Sequence, residues 1–250
     1  MKSFDQKWVV AHRGGALLQP ENTKKAFDHA LNYPIQGLEC DLQLTKDGVP
    51  ILFHDRTLYK FGLINKRLKN FSLSTLKKHK EIKFKHSSIS GNNLLSFEKF
   101  LKNFQEKNNL FIEIKSRPHD QKDGTSDKLL SAITYIANNN IRNYKNIYWM
   151  SFDHLLVDKA IHKLKGGRFI KLTEDAPSFI KNTNLENIFG VGFPIRQASH
   201  KLVHNFHSKG LATLTYTCNK PRQLKKALSS NIDILVTDRP DWLSDELGVS

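Results

Sequence analysis

Short apolar or β-branched runs alternate along this chain with stretches in which apolar side chains recur every three or four residues. The runs fall at 8–12, 37–43, 50–54, 110–114, 147–150, 168–172, 187–191, 211–216 and 232–237, nine candidate strands in all. Helical spacing occupies 22–32, 127–138, 153–164, 197–208 and 221–229. Strand followed by helix, repeated in this way, is the pattern of parallel βα units.

One connection departs from it. Only Gln43 to Val49 separates the second run from the third, and a parallel crossover takes about a dozen residues. These two runs are therefore expected to form a hairpin. Asp47-Gly48 suits a two-residue turn, and that centring pairs residues whose numbers sum to 95, with Asp41 opposite His54. If one arm of the hairpin is an appendage, eight strands remain, the number of a closed TIM-type (βα)8 barrel, and 250 residues suit one such domain. Residues 56–108 are rich in lysine and asparagine and hold helical patches only near 73–80 and 96–105, so they read as an insertion on the barrel.

Polar residues placed at the ends of apolar strands carry the candidate chemistry. In Ala11-His12-Arg13-Gly14-Gly15 a strand ends in two polar side chains and two glycines. That is where a barrel strand meets its functional loop, and where glycine lets the backbone approach a phosphate that Arg13 can grip through its planar fork. Glu39 and Asp41 stand two residues apart on an apolar strand and so share one face. Two like charges buried together are costly, and a hard divalent cation such as Mg²⁺ or Ca²⁺, bound through oxygen, relieves them. Cys40, between them, then faces the helix layer. Glu113 and Lys115 repeat the arrangement on Phe111-Ile112-Glu113-Ile114-Lys115, adding a third carboxylate and an ammonium for a phosphate oxygen or for an ion pair with Glu113. The hairpin register brings His54 to the same acids, so two histidines face one acidic site; imidazole titrates near neutral pH and suits proton transfer in both directions.

The order of these elements resembles the glycerophosphodiester phosphodiesterase family. The resemblance rests on His12-Arg13-Gly14, Pro20-Glu21-Asn22-Thr23, Glu39-x-Asp41, Asp47-Gly48 and His54-Asp55, and continues through Glu113-Ile114-Lys115, Ser151-Phe152, Gly210-Leu211 to Asn219, and Thr237-Asp238. It implies a TIM-type barrel that hydrolyses glycerophosphodiesters to glycerol 3-phosphate and an alcohol. One divalent cation, Mg²⁺ or Ca²⁺, is expected on Glu39, Asp41 and Glu113, with His12 and His54 as the acid/base pair through a cyclic phosphate. Arg13 and Lys115 fall at phosphate-binding positions. Tyr216 stands where the family usually has tryptophan and either walls the pocket or packs the barrel end. Asn22 or Thr23 also suits the N-cap of the helix that starts near Lys24. Two stretches depart from the family pattern: Arg56-Thr57-Leu58-Tyr59-Lys60-Phe61-Gly62, and Asn93-Leu94-Leu95-Ser96-Phe97 with no proline before its helix.

Charge widens the list of partners without choosing among them. The formal net charge is +15, which attracts phosphorylated substrates, anionic membrane and nucleic acid alike. No nucleic-acid motif is readable, so a small-molecule glycerophosphodiester is the expected partner, with peripheral contact to an anionic membrane as an addition. A lysophospholipase D or sphingomyelinase D-like enzyme is the nearest alternative, favoured if Tyr59, Phe61 and Phe71 form an apolar rim; a non-catalytic polyanion or membrane binder is the remote one. No run reaches the 18 or more apolar residues of a membrane helix, and no signal peptide is readable after Met1, so the expectation is a cytoplasmic protein. Cys40 and Cys218 lack any paired spacing and are expected to be buried thiols.

Overall fold

In the computed structural model, which describes residues 6–63, 65–78, 82–84, 87–89 and 93–249, parallel strands close on themselves. They are β1 (Trp8–Ala11), β2 (Gly37–Leu44), then, after a short antiparallel β3 (Pro50–Leu52) and a small β4 (Ile82–Phe84) and β5 (Ser87–Ile89) ribbon, β6 (Asn109–Ile114), β7 (Ile147–Ser151), β8 (Arg168–Leu172), β9 (Gly190–Pro194), β10 (Ala212–Tyr216) and β11 (Ile234–Thr237). The order runs β1-β11-β10-β9-β8-β7-β6-β2-β3, and β1 also pairs with β2, so eight parallel strands form a closed barrel with β3 hung on the outside. The (βα)8 expectation holds.

Helices return the chain between strands: α1 (Lys24–Ala30), α2 (Leu73–Lys77), α3 (Phe97–Phe104), α4 (Pro118–Lys122), α5 (Thr125–Asn140), α6 (His154–Lys163), α7 (Ala176–Asn182), α8 (His200–His207), α9 (Pro221–Ser229) and α10 (Pro240–Leu247). Each strand buries two faces, which is why the strand runs read as continuously apolar. One face meets the helices through Leu38, Cys40, Leu110 and Ile112. The other fills the barrel interior with Val10, Phe111, Tyr148, Met150, Leu214 and Val236. Cys40 and Cys218 are both buried free thiols, and Cys40 faces the helix layer as its position between two inward acids requires.

The segment between β3 and β6 divides in two. Phe53, Leu58, Phe61, Leu68, Leu76 and Leu94 make a small core of their own around Ile51. Helix α3 instead puts Phe97, Phe100, Leu101 and Phe104 into the layer between strands and helices, with Phe100 4.8 Å and Phe104 5.4 Å from the ring of Phe27. It is the crossover helix from β2 to β6, and what projects from the barrel ends before it. The helical patch read at 73–80 is α2; residues 79 and 80 lie outside the described residues.

Two expectations are corrected. The run at 187–191 is displaced to Gly190–Pro194, because tight packing overrides the low strand propensity of glycine: a Cβ on Gly190 would strike the carbonyl oxygen of Ala212, and one on Gly192 would strike Leu172. The β2–β3 register is also off by one. Leu42 pairs with Leu52, Gln43 with Ile51 and Leu44 with Pro50, a sum of 94 rather than 95. The turn is a three-residue loop: Thr45 N–H donates to the Val49 carbonyl at 3.1 Å, Gly48 N–H to the Thr45 carbonyl at 3.1 Å, and Gly48 takes φ 76°, the left-handed residue of a turn followed by a bulge. Asp41 therefore lies opposite Phe53, whose N–H reaches the Asp41 carbonyl at 2.8 Å. β3 ends at Leu52, and His54 belongs to the loop beyond it.

Candidate active site at the barrel mouth

The C-terminal ends of the strands open into a pocket of ≈ 320 Å³ lined by His12, Arg13, Glu39, His54, Glu113, Lys115, Phe152, Glu174 and Tyr216 among others. The structure thus gathers the two histidines, two of the three acids, both cations and the tyrosine that the sequence singled out; Asp41 lies fully buried directly behind them.

The loop after β1 is built for close approach. Arg13 and Gly14 both have positive φ, 52° and 81°. A Cβ on Gly14 would come within 2.8 Å of the Ala26 Cβ and 2.9 Å of the α1 backbone, so only glycine lets the loop fold down onto the start of that helix. This brings Arg13 N–H to Glu39 Oε2 at 2.9 Å. The Arg13 side chain turns inward, with Nε 3.3 Å from Asp41 Oδ2 and Nη1 3.2 Å from Glu21 Oε2. Burial opposes its charge, but Asp41, Glu21 and Glu39 outweigh that and hold its pKa above the ordinary value.

Glu39 and Asp41 point from β2 into the barrel beside Glu113 of β6, and Asp41 and Glu113 are register partners. Ligand atoms of the three lie within 4.8 Å of one another, and the residues are 3%, 0% and 8% exposed. Lys115 Nζ bridges two of them, 2.8 Å from Asp41 Oδ1 and 2.7 Å from Glu113 Oε1. Asn22, at φ 56°, donates through Nδ2 to Asp41 Oδ2 at 2.8 Å. Burial works against the charge of Asp41, but Lys115 and Arg13 win and keep its carboxyl well below the usual range. Glu39 has no such bridge: burial, then the charges of Asp41 and Glu113, push its carboxyl well above the usual range, with Arg13 only partly offsetting them. Three converging carboxylate oxygens, one destabilised by the others, form a donor set suited to a hard divalent cation.

Each histidine is seated by a carboxylate at its Nδ1. His12 Nδ1 lies 2.6 Å from Asp238 Oδ1; Asp238 Oδ2 in turn accepts from Asn219 Nδ2 at 2.6 Å, and the Asp238 N–H donates to Asn219 Oδ1 at 2.8 Å. With Nδ1 as the donor to Asp238, the lone pair falls on Nε2, which lies 3.9 Å from Glu39 Oε2. His54 Nδ1 lies 3.1 Å from Asp55 Oδ1. Lys60 spans Asp55 at 3.0 Å and Glu21 at 2.7 Å, tying this loop to the one after β1. Burial works against ionisation of Asp55, yet the His54 hydrogen bond and the Lys60 charge bring its pKa down to about 2.

Asp238, Asn219 and Asp55 stand within the motifs that carry the resemblance but were expected to play no part of their own, Glu21 was expected beside Asn22 at the helix cap, and Lys60 carried no expectation. Asp238 had a usable signal, a carboxylate just past the C-terminal end of a barrel strand; Lys60 had none. The helix cap is Thr23, whose Oγ1 accepts from Ala26 N–H at 3.2 Å, which leaves Asn22 and Glu21 to the site. Tyr216 ends β10, donates to the Thr173 carbonyl at 3.2 Å and meets Phe152 edge-on with centroids 6.0 Å apart, so it walls the pocket. Of the three insertion aromatics, Tyr59 is 50% exposed while Phe61 is buried and Phe71 packs against the small core.

Comparison with known proteins bears on the family and the fold. The model of the glycerophosphoryl diester phosphodiesterase family matches residues 12–242. A protein of Caldanaerobacter subterraneus subsp. tengcongensis named glycerophosphodiester phosphodiesterase is 27% identical over 94% of this chain and 95% of its own length. An uncharacterised protein of Mycoplasma genitalium is 37% identical over 52% of this chain, a match that spans 53% of that protein. The solved structure of an Oleispira antarctica phosphodiesterase in complex with the product sn-glycerol-3-phosphate superposes with a TM-score of 0.83 at 18% identity, covering 97% of each chain; at that identity the likeness is one of fold.

Proposed function

The chain belongs to the glycerophosphoryl diester phosphodiesterase family, a family of phosphoric diester hydrolases, and we propose from that premise that its barrel mouth hydrolyses a glycerophosphodiester to glycerol 3-phosphate and an alcohol. The observation that carries the reading is the pairing of two carboxylate-seated histidines with one buried triad of acids in a single pocket.

Glu39, Asp41 and Glu113 would hold one divalent cation, Mg²⁺ or Ca²⁺. When bound it neutralises charge on the phosphoryl oxygens, the contribution that usually dominates phosphoryl transfer. The chain's own residues do the rest. Lys115 places an ammonium beside the acids at the edge of the pocket, where it meets a phosphoryl oxygen as a point charge. Arg13 is held by Asp41 and Glu21, so it shapes the acidic site and offers its remaining N–H groups to phosphate.

In the first step His12 Nε2 takes the proton of a glycerol hydroxyl as that oxygen bonds to phosphorus, and the bond from phosphorus to the alcohol oxygen breaks. His54 protonates the departing oxygen. The glycerol cyclic phosphate that results is opened by water, with His54 now accepting the water proton and His12 returning one to the glycerol oxygen. Asp238 and Asp55 hold the rings so that Nε2 is the exchanging nitrogen in both.

The test is release of glycerol 3-phosphate from glycerophosphocholine and glycerophosphoethanolamine, with Mg²⁺ or Ca²⁺ and with EDTA. Metal-dependent release that falls by about 10³-fold or more in His12→Ala and in His54→Ala is the expected result. Folded, metal-loaded protein that releases nothing from these substrates but cleaves lysophospholipids would replace this reading with the lysophospholipase D one. The inward turn of Phe61 and the packing of Phe71 weigh against that alternative, since they do not supply its apolar rim.

A further inference from the structure

Lys60 stands beside the barrel mouth with no task in the chemistry above, and the local structure that brings it there is specific. It sits in the single helical turn Tyr59–Phe61. Leu58 and Phe61 are buried in the small core of the projecting segment, with the Phe61 ring 6.0 Å from that of Phe53. Gly62, at φ 71°, closes the turn by donating its N–H to the Tyr59 carbonyl at 2.8 Å. With Phe61 drawn into that core, Lys60 is left to face the loop after β1, and its side chain is only 16% exposed.

The Lys60 ammonium lies 2.7 Å from Glu21 Oε1 and 3.0 Å from Asp55 Oδ2. The other oxygen of each carboxylate is engaged as well, Glu21 Oε2 by Arg13 Nη1 at 3.2 Å and Asp55 Oδ1 by His54 Nδ1 at 3.1 Å. His54, Asp55, Lys60, Glu21 and Arg13 thus form one chain of contacts with the lysine at its middle. Ligand atoms of Glu21, His54 and Asp55 lie within 4.8 Å of one another, so without an ammonium between them two carboxylates would repel across a partly buried gap. His54 depends on this bracing because it lies in the loop past β3. Arg117 holds its carbonyl, and its ring takes its aim from Asp55. At the other histidine the seating carboxylate, Asp238, is itself braced by Asn219; Lys60 does for Asp55 what Asn219 does for Asp238.

We propose that Lys60 is a positioning residue for the reaction: it braces Asp55 against Glu21 of the loop after β1 and so holds the His54 ring toward the departing alcohol. This rests on the phosphodiesterase reading of the mouth, in which His54 protonates that alcohol. The projecting segment then has a part in the chemistry, since the small core that buries Leu58 and Phe61 delivers the lysine. Charge and reach are both required at this position, which arginine supplies and methionine does not.

The experiment measures kcat and KM of metal-loaded wild type, Lys60→Met and Lys60→Arg on glycerophosphocholine and on the p-nitrophenyl diester of glycerol 3-phosphate, whose phenolate departs without needing a proton. Lys60→Met should lose about 10- to 100-fold in kcat/KM on glycerophosphocholine, most of it in kcat, and less than about threefold on the p-nitrophenyl diester. Lys60→Arg should stay within about fivefold of wild type on both. Lys60→Gln gives the same comparison should Lys60→Met not fold. A loss equal on the two substrates, or no loss on either, would overturn the assignment, because a lysine that serves only the fold has no means of distinguishing leaving groups. If wild type cleaves neither substrate, the phosphodiesterase reading fails by itself, and ¹⁵N spectra of the histidine rings still test the brace. His54 signals that move in Lys60→Met and return in Lys60→Arg support it, and unmoved signals remove it.

Discussion

Asp238 shows how much of a site can depend on a residue that need not touch substrate. Its carboxylate is the partner that fixes which nitrogen of His12 carries the proton, and Asn219 in turn fixes the carboxylate. Asp238→Asn keeps the shape but offers an amide that can present N–H to Nδ1, which would move the His12 proton to Nε2. We expect kcat to fall by about 10²-fold with KM changed little, and the loss to appear across the whole pH profile as a wrong tautomer does. Asp55 gives a stability prediction as well. Its folded pKa of about 2 lies below the unfolded value of about 3.9. The ionised form is therefore favoured by folding, and its contribution is present above about pH 4 and lost as pH falls through about 2. The raw shift is discounted because the group is partly solvated, leaving about 1 kcal/mol. Urea unfolding of Asp55→Asn should show that loss at pH 7 and converge on the wild type near pH 2.

At the scale of elements, the loop between β2 and β3 and the helix α3 carry the lessons. One extra residue in the turn moves the register from 95 to 94, and a shift of one ordinarily flips side chains to the other face. Here the pairing stops at Leu52, so His54 comes to the mouth by the path of the loop, fixed by Arg117 on its carbonyl and Asp55 on its ring. Helix α3 was read as part of the insertion because the lysine-rich segment before it obscures the βα rhythm. Its phenylalanines nonetheless sit at helical spacing and lie against Phe27. Phe100→Ala should therefore cost about 3–5 kcal/mol of global stability, as a barrel-core cavity does. The measurement is denaturant unfolding followed by tryptophan fluorescence. A loss confined to below about 1 kcal/mol would place α3 with the projecting segment instead.

For the molecule as a whole, a cation held by the acid triad at the mouth of the closed barrel would tie binding to folding. The three carboxylates, within 4.8 Å of one another, are compensated by the charges of Lys115 and Arg13 and by the amide of Asn22. A divalent cation at about 100 times its Kd adds about 2.7 kcal/mol to the folded state, which for a chain of this size raises Tm by about 5–10 °C. Thermal unfolding with Mg²⁺ or Ca²⁺ against EDTA should show this rise, and Glu39→Gln should largely remove it. The same scan in Glu21→Gln, whose carboxylate pairs with Arg13 and Lys60 and stands outside the triad, should keep it. Among the described residues no helix is long and apolar enough to cross a membrane.

The sequence by itself determined the barrel, because strands buried on both faces must be apolar throughout and the crossover helices must show a 3.6-residue period, and both signals are local. Alternation within apolar strands also places Glu39 with Asp41 and Glu113 with Lys115 on shared faces, and His12 stands out at the end of its strand, whereas the register expected to carry His54 to the acids is off by one. Only the tertiary structure decided who seats whom. Asp238 reaches His12 across 226 positions of chain, and Lys60 reaches Glu21 across 39. Such contacts follow from the closure of the barrel and the path of its loops, and neither leaves a periodic trace in the residues that make them.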